Sequence, residues 1–152
     1  MILLDTNILL RYVAPADAAH GVAKSALAVL RAAGEHFALV PQNIYEFWAT
    51  ATRPLASNGL GLSITECQTQ VSSLKAFFTF LPDQPTLFAE WESLVVTYAC
   101  HGRVSFDARL VAAMQTHGIN RILTLNGSDF SRYPGVTVID PHTVAAMPPP
   151  TP

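Results

Sequence analysis

Cysteine is scarce in this chain: among 152 residues only Cys67 and Cys100 carry a thiol. Two isolated cysteines make no disulfide framework and read as reduced thiols. No CxxC or HExxH spacing supports a zinc site, and the five histidines, His20, His36, His101, His117 and His142, are scattered. Charge is sparse too, at 13% of residues, with nine basic against eleven acidic side chains and a formal net of −2. A protein that holds nucleic acid by neutralising phosphates is usually basic, so composition alone leans away from nucleic acid unless local arginines or bound cations supply the positive field. No apolar run approaches the roughly 18–20 residues that span a bilayer. Met1–Asp5 lacks the basic and long apolar segments of a secretory leader, so a cytoplasmic protein with no membrane partner is expected. A Gly-rich phosphate loop with lysine, GxGxxG and GxSxG are all missing, which removes the fingerprints of nucleotide-cofactor folds and nucleophile-elbow hydrolases.

What the chain has is hydrophobicity. Half of its residues are apolar, enough for a sizeable core in one domain. That domain is expected over residues 1–145, followed by a Pro-rich tail over 146–152 that can be neither helix nor inner strand. Ile2–Leu4, His36–Val40, Arg121–Leu125 and Val136–Ile139 are short, nearly continuous apolar runs, the mark of strands buried on both faces. Helical patterns separate them. Val22, Leu27 and Leu30 precede Gly34, a C-terminal cap. Ser63-Ile-Thr-Glu66 is a capping box opening a helix with Val71, Leu74 and Phe78. Leu87, Phe88, Trp91, Leu94, Val95 and Tyr98 recur at helical spacing after Pro85, and Ser105–His117 reads as a further helix ended by Gly118. Buried strands alternating with amphipathic helices predict an α/β fold with a parallel sheet covered on both sides.

In such sheets ligands bind beyond the carboxyl ends of the strands. Asp5 follows the first strand and Asp129 lies just past the third, so both are candidates for one edge. Taken singly, Asp5 can equally be a helix cap and Asp129 a turn residue. Asp107 is harder to assign to a cap alone. At about 100° per residue, Leu110, Val111 and Met114 fall within about 60° of it, so its carboxylate lies along the apolar stripe. A carboxylate there needs a cation, hydrogen bonds or a shifted pKa. Glu46 projects away from the Ile44, Phe47, Trp48 and Ala51 face, and pattern alone makes it a solvated glutamate. Clustered carboxylates without His or Cys ligands select a hard cation, Mg²⁺ or Mn²⁺. Such a centre activates water and steadies charge on a phosphate, and it reverses the sign of an acidic pocket for an approaching phosphate backbone.

Four segments in order, Ile2-Leu-Leu-Asp-Thr-Asn-Ile-Leu9, Pro41-Gln-Asn-Ile-Tyr-Glu-Phe47, Phe106-Asp-Ala-Arg-Leu-Val-Ala-Ala113 and Ile122-Leu-Thr-Leu-Asn-Gly-Ser-Asp-Phe130, resemble the PIN domain. The likeness is greatest to the ribonuclease toxins of bacterial VapBC toxin-antitoxin pairs, and it spans nearly the whole chain. It implies a three-layer α/β/α sandwich with a central parallel sheet of four to five strands. It also implies a Mg²⁺- or Mn²⁺-dependent ribonuclease, homodimeric, with an RNA substrate and an antitoxin protein as partner. By position, Asp5 and Asp107 match the metal-ligating carboxylates, Glu46 the acidic residue of the second motif and Asp129 the last acidic position. Thr6, Asn7 and Asn126 match polar support. Phe106 stands where many relatives carry histidine. Arg11 and Arg109, close to the motifs in sequence, are candidates for gripping flanking phosphates; surface salt bridges are the equal alternative. A PIN-like nuclease of RNA maturation or of DNA, or a non-catalytic binding module, remains as a second reading.

Overall fold

Three-residue strands with every side chain buried belong in the interior of a sheet whose two faces are both covered. The computed structural model, which describes residues 1–147, shows two such strands, β1 (Ile2–Leu4) and β2 (Phe37–Leu39). With β3 (Thr79–Phe80), β4 (Arg121–Leu123) and β5 (Thr137–Ile139) they form one parallel sheet in the order β3-β2-β1-β4-β5. Its register sets Leu3 beside Ile122 and Leu4 beside Leu123. The four expected strands are present, the first with the expected bounds and the other three slightly shorter than their apolar runs. The fifth, β3, escaped sequence reading because two edge residues carry no periodicity. From Pro148 onward the expected tail lies outside the described residues.

Side-chain alternation divides the core into two layers. Ile2, Leu4, Phe37, Leu39 and Leu123 point to one face, under α1 (Thr6–Val13), α2 (His20–Ala32), α3 (Pro41–Ala51) and α4 (Ile64–Phe77). Leu3, Ala38 and Ile122 point to the other, under α5 (Leu87–Thr97) and α6 (Val104–Thr116). The last helix, α7 (Pro141–Ala145), packs on α2. The result is a three-layer α/β/α sandwich.

Local chemistry explains the ends. Ser63 and Glu66 close the capping box of α4 reciprocally, with Ser63 N–H donating to Glu66 Oε2 at 2.8 Å. Gly34 and Gly118 take positive φ, +84° and +65°, after α2 and α6. There Glu35 and Ile119 N–H reach back to the Leu30 and Met114 carbonyls, ending both helices in Schellman turns. Two details depart from expectation. Phe78 is extended rather than helical and closes α4 by turning its ring into the core. Pro85 lies outside α5, whose N-cap is Thr86.

One buried side chain ties the first two βα units together. Asn43, with no exposed surface, accepts from Val40 N–H at 2.9 Å and donates to the Leu4 carbonyl at 3.0 Å. Because Leu4 ends β1 and Val40 directly follows the neighbouring β2, this amide holds the starts of α1 and α3 side by side. Asn43→Ala leaves both backbone groups without that partner in a buried place. It is expected to lower stability by about 2 kcal/mol in urea unfolding; a change within experimental error would show that the bridge is dispensable.

Candidate active site

The order of the sheet reverses at β1, where the chain crosses from the β2 side to the β4 side, and a crevice opens at the carboxyl ends of β1 and β4. Asp5 stands there. Its backbone is extended as an N-cap requires, yet its side chain makes no capping bond to α1. Instead Oδ2 accepts from the Thr124 hydroxyl at 2.5 Å and from Asn7 Nδ2 at 2.6 Å. Asn7 in turn accepts Leu125 N–H at 3.2 Å, which fixes its amide and pins the exit of β4 to α1. Parallel pairing makes this possible: Asp5 N–H continues the ladder to the Leu123 carbonyl at 3.0 Å and so brings Asp5 beside Thr124. The capping alternative for Asp5 is thereby replaced by a partly buried hydrogen-bonded pair.

Glu46 does not face open water. It is half-buried, with Oε2 accepting from Thr6 Oγ1 at 2.7 Å and Oε1 from Gln42 Nε2 at 2.7 Å. Helical periodicity placed it opposite the apolar face of α3, but α1 begins right beside that flank and supplies the hydroxyl. Asp107 lies near the start of α6, above the buried Leu110, Val111 and Met114. Asp129 lies in the 3₁₀ turn Gly127–Phe130, just after Asn126, and both are exposed. These four carboxylates, with Thr6, Asn7 and Asn126, line one cleft of about 590 Å³.

Burial, and after it like charge, acts on the carboxyls of this cleft. Burial holds the Asp107 carboxyl up at about 6, and the charges of Asp129, Asp5 and Glu46 add to the rise while Arg132 opposes it. Burial likewise raises Asp5, partly countered by the Thr124 hydroxyl, with the Glu46 charge adding to the rise. None of the four takes part in an ion pair among the described residues. The donor set therefore suits a hard divalent cation. No three His, Cys, Asp or Glu side chains among the described residues are set to coordinate one by themselves. Mg²⁺ is ordinarily held by one or two carboxylates, with waters or substrate oxygens completing the octahedron.

The two sequence-chosen arginines lie elsewhere. Arg11 pairs with Asp17 at 3.4 Å, and Arg109 with Asp83 at 2.7 Å; neither lines the cleft. The arginines that do are Arg53 and Arg103, both exposed. Helical arithmetic offered a signal for one: Arg103, the N-cap of α6, is one turn before Asp107, whereas Arg53 lies past the end of α3. Gln42 and Thr124, which orient Glu46 and Asp5, were also missed, because each acts through a partner distant in sequence.

The family model described as PIN domain matches residues 2–136. Among solved structures, a toxin-antitoxin complex from Klebsiella pneumoniae contains a chain 23% identical, with a TM-score of 0.63 over 93% of this chain and 98% of that one. VapC20 of Mycobacterium tuberculosis, described as a sarcin-ricin loop cleaving toxin, is 17% identical, with a TM-score of 0.60 over 80% and 87%. VapBC2 from Rickettsia felis, bound to a promoter DNA fragment, is 14% identical, with a TM-score of 0.69 over 92% and 98%. At such identities the likeness shows the fold. No curated protein gives a significant sequence match.

The raised carboxyl of Asp107 makes a prediction for the metal-free protein. Its folded value, about 6, exceeds the ordinary 3.8. The folded state therefore binds more protons between those values, and stability falls as pH rises through the window. Asp107→Asn removes the penalty. In EDTA at pH 7.5 the variant should be more stable by on the order of 1 kcal/mol, with solvent screening at a half-exposed site allowed for. The gain should shrink as pH falls through 6 toward 4, as followed by urea unfolding. A variant less stable than wild type at pH 7.5 would contradict this electrostatic account.

Proposed function

The chain belongs to the PIN domain family, and from that premise we propose that it is a metal-dependent endoribonuclease acting as the toxin of a VapBC-type toxin-antitoxin pair. The single observation that carries the reading is the convergence of Asp5, Glu46, Asp107 and Asp129, free of ion pairs among the described residues, on one cleft at the switch point of the sheet. Similarity to VapC20, described as a sarcin-ricin loop cleaving toxin, and to two toxin-antitoxin assemblies supports RNA as substrate and an antitoxin protein as partner. A homodimer working in the cytoplasm completes the proposal. No described helix is long and apolar enough to cross a membrane.

Asp5 and Asp107 would hold Mg²⁺ or Mn²⁺, with Glu46 and Asp129 reaching it directly or through water. A cation bound there supplies positive charge against the developing negative charge of the phosphate and lowers the pKa of water. The protein's share is orientation. Thr124 and Asn7 hold Asp5, while Thr6 and Gln42 each hold one oxygen of Glu46, so neither carboxylate has to reorganise as charge develops. Arg53 and Arg103, at the cleft wall, grip the flanking phosphates. Water attacks the phosphorus in line, the bond to the 3′ oxygen breaks, and the ends are a 5′-phosphate and a 3′-hydroxyl.

Purified protein should cut pooled cellular RNA in Mn²⁺ or Mg²⁺ and not in EDTA. Loss of an outer supporting partner typically costs about 10–100-fold, so Asp5→Asn should lose more than that while still folding. Mn²⁺ should raise the unfolding temperature of wild type and not of this variant. Undiminished cutting by pure Asp5→Asn would sink the mechanism. The pH profile gives an independent check. Protons compete with the cation for Asp107, so at low Mn²⁺ activity should rise through about pH 6 and the midpoint should move lower as Mn²⁺ increases. A midpoint indifferent to Mn²⁺ would argue against metal binding at this carboxylate.

A further inference from the structure

Beyond β3 a second cavity, of about 440 Å³, opens on the same carboxyl edge of the sheet, within the range of small-molecule sites. Its walls include Phe88 and Trp91 of α5, and its rim carries Asp83, Gln84 and Arg109. Phe88 recurs in the helical pattern as though it were core, yet it is 67% exposed. Its ring lies 5.5 Å from Trp91 at a 48° tilt. The indole is itself anchored, donating from Nε1 to the Ser105 carbonyl at 2.8 Å. An open, partly pre-organised aromatic platform edged by a guanidinium, a carboxylate and an amide complements both the face and the edge of a nucleobase.

This cavity is connected to the carboxylate cleft. Arg109 Nη1 donates to Gln42 Oε1 at 3.1 Å, and the same amide donates from Nε2 to Glu46 Oε1 and, at 2.9 Å, to the Phe106 carbonyl. One buried side chain therefore separates the two. Phe106, 58% exposed, is itself part of the cleft wall. Asp5 follows β1 and Asp83 follows β3, two strands over, so the two sites are offset by roughly 10 Å along the sheet edge. A single strand with a phosphate in the cleft can continue along that edge over Phe106 to the aromatic platform.

We propose that the cavity between the β3–α5 loop, α5 and α6 is a nucleobase subsite, taking one base of the single-stranded RNA whose phosphodiester lies in the carboxylate cleft. It rests on the ribonuclease reading above. Phe88 stacks on the base, the tilted Trp91 ring packs against its side, and Arg109, oriented by Asp83 and Gln42, meets its polar edge. The test uses the full chain with short single-stranded oligoribonucleotides of each base in Ca²⁺, which fills oxygen sites, and reads binding by fluorescence anisotropy. Phe88→Ala should weaken binding of at least one of them about 10-fold, and Phe88→Tyr should restore it. Both variants should keep the Mn²⁺-induced rise in unfolding temperature, since Phe88 is outside the cleft. Wild-type affinity in Phe88→Ala for all four would overturn the subsite alone and leave the cavity to a protein partner. A wild type that neither binds RNA nor cuts it in Mn²⁺ would overturn the ribonuclease reading and the subsite with it.

Discussion

Four carboxylates line one cleft, where their like charges repel, and much of the surrounding structure is arranged to hold them there. The arrangement begins with parallel pairing of β1 and β4, which carries Asp5 past the end of its strand to meet Thr124. A one-residue slip would turn Asp5 to the other face of the sheet and exchange the two apolar layers that Leu3 and Leu4 separate. The buried strands thus position the charged residues, because their apolar side chains make any other register costly.

Amides and hydroxyls complete the work. Asn43 joins the ends of β1 and β2, Asn7 joins α1 to the exit of β4, and Gln42 joins Glu46 to the Phe106 carbonyl of α6. Each binds two or more groups at once, so its orientation is determined from more than one side. No buried side-chain nitrogen or oxygen among the described residues lacks a partner. The supports are thus satisfied by one another, and the like charges of the carboxylates are what the cleft leaves uncompensated by ion pairs among the described residues.

Much of this was legible beforehand. Short, wholly apolar runs reported the buried strands, three-four spacing reported the helices, and the Ser63–Glu66 box and Gly34 and Gly118 reported helix ends. The four motif segments named the carboxylates in order. What escaped was what local pattern cannot carry. β3 is two residues long and recognisable only from its pairing with β2. Phe88 has the spacing of a core residue, yet α5 buries Leu87 and Leu94 and leaves Phe88 open to solvent.

The distinction is one of range. Apolar periodicity and capping are interactions over a few residues, and they are written in the chain: the α/β class, the order of elements, and Asp107 on an apolar stripe. The environment of Glu46 depends on Thr6, forty positions away, and that of Asp5 on Thr124, 119 away. Which arginines reach the cleft depends equally on how helices pack, since Arg53 and Arg103 line it while Arg11 and Arg109 are drawn to Asp17 and Asp83. Such choices are settled only when the strands take their register, because hydrogen bonds and Coulomb interactions act across space and carry no trace in local spacing.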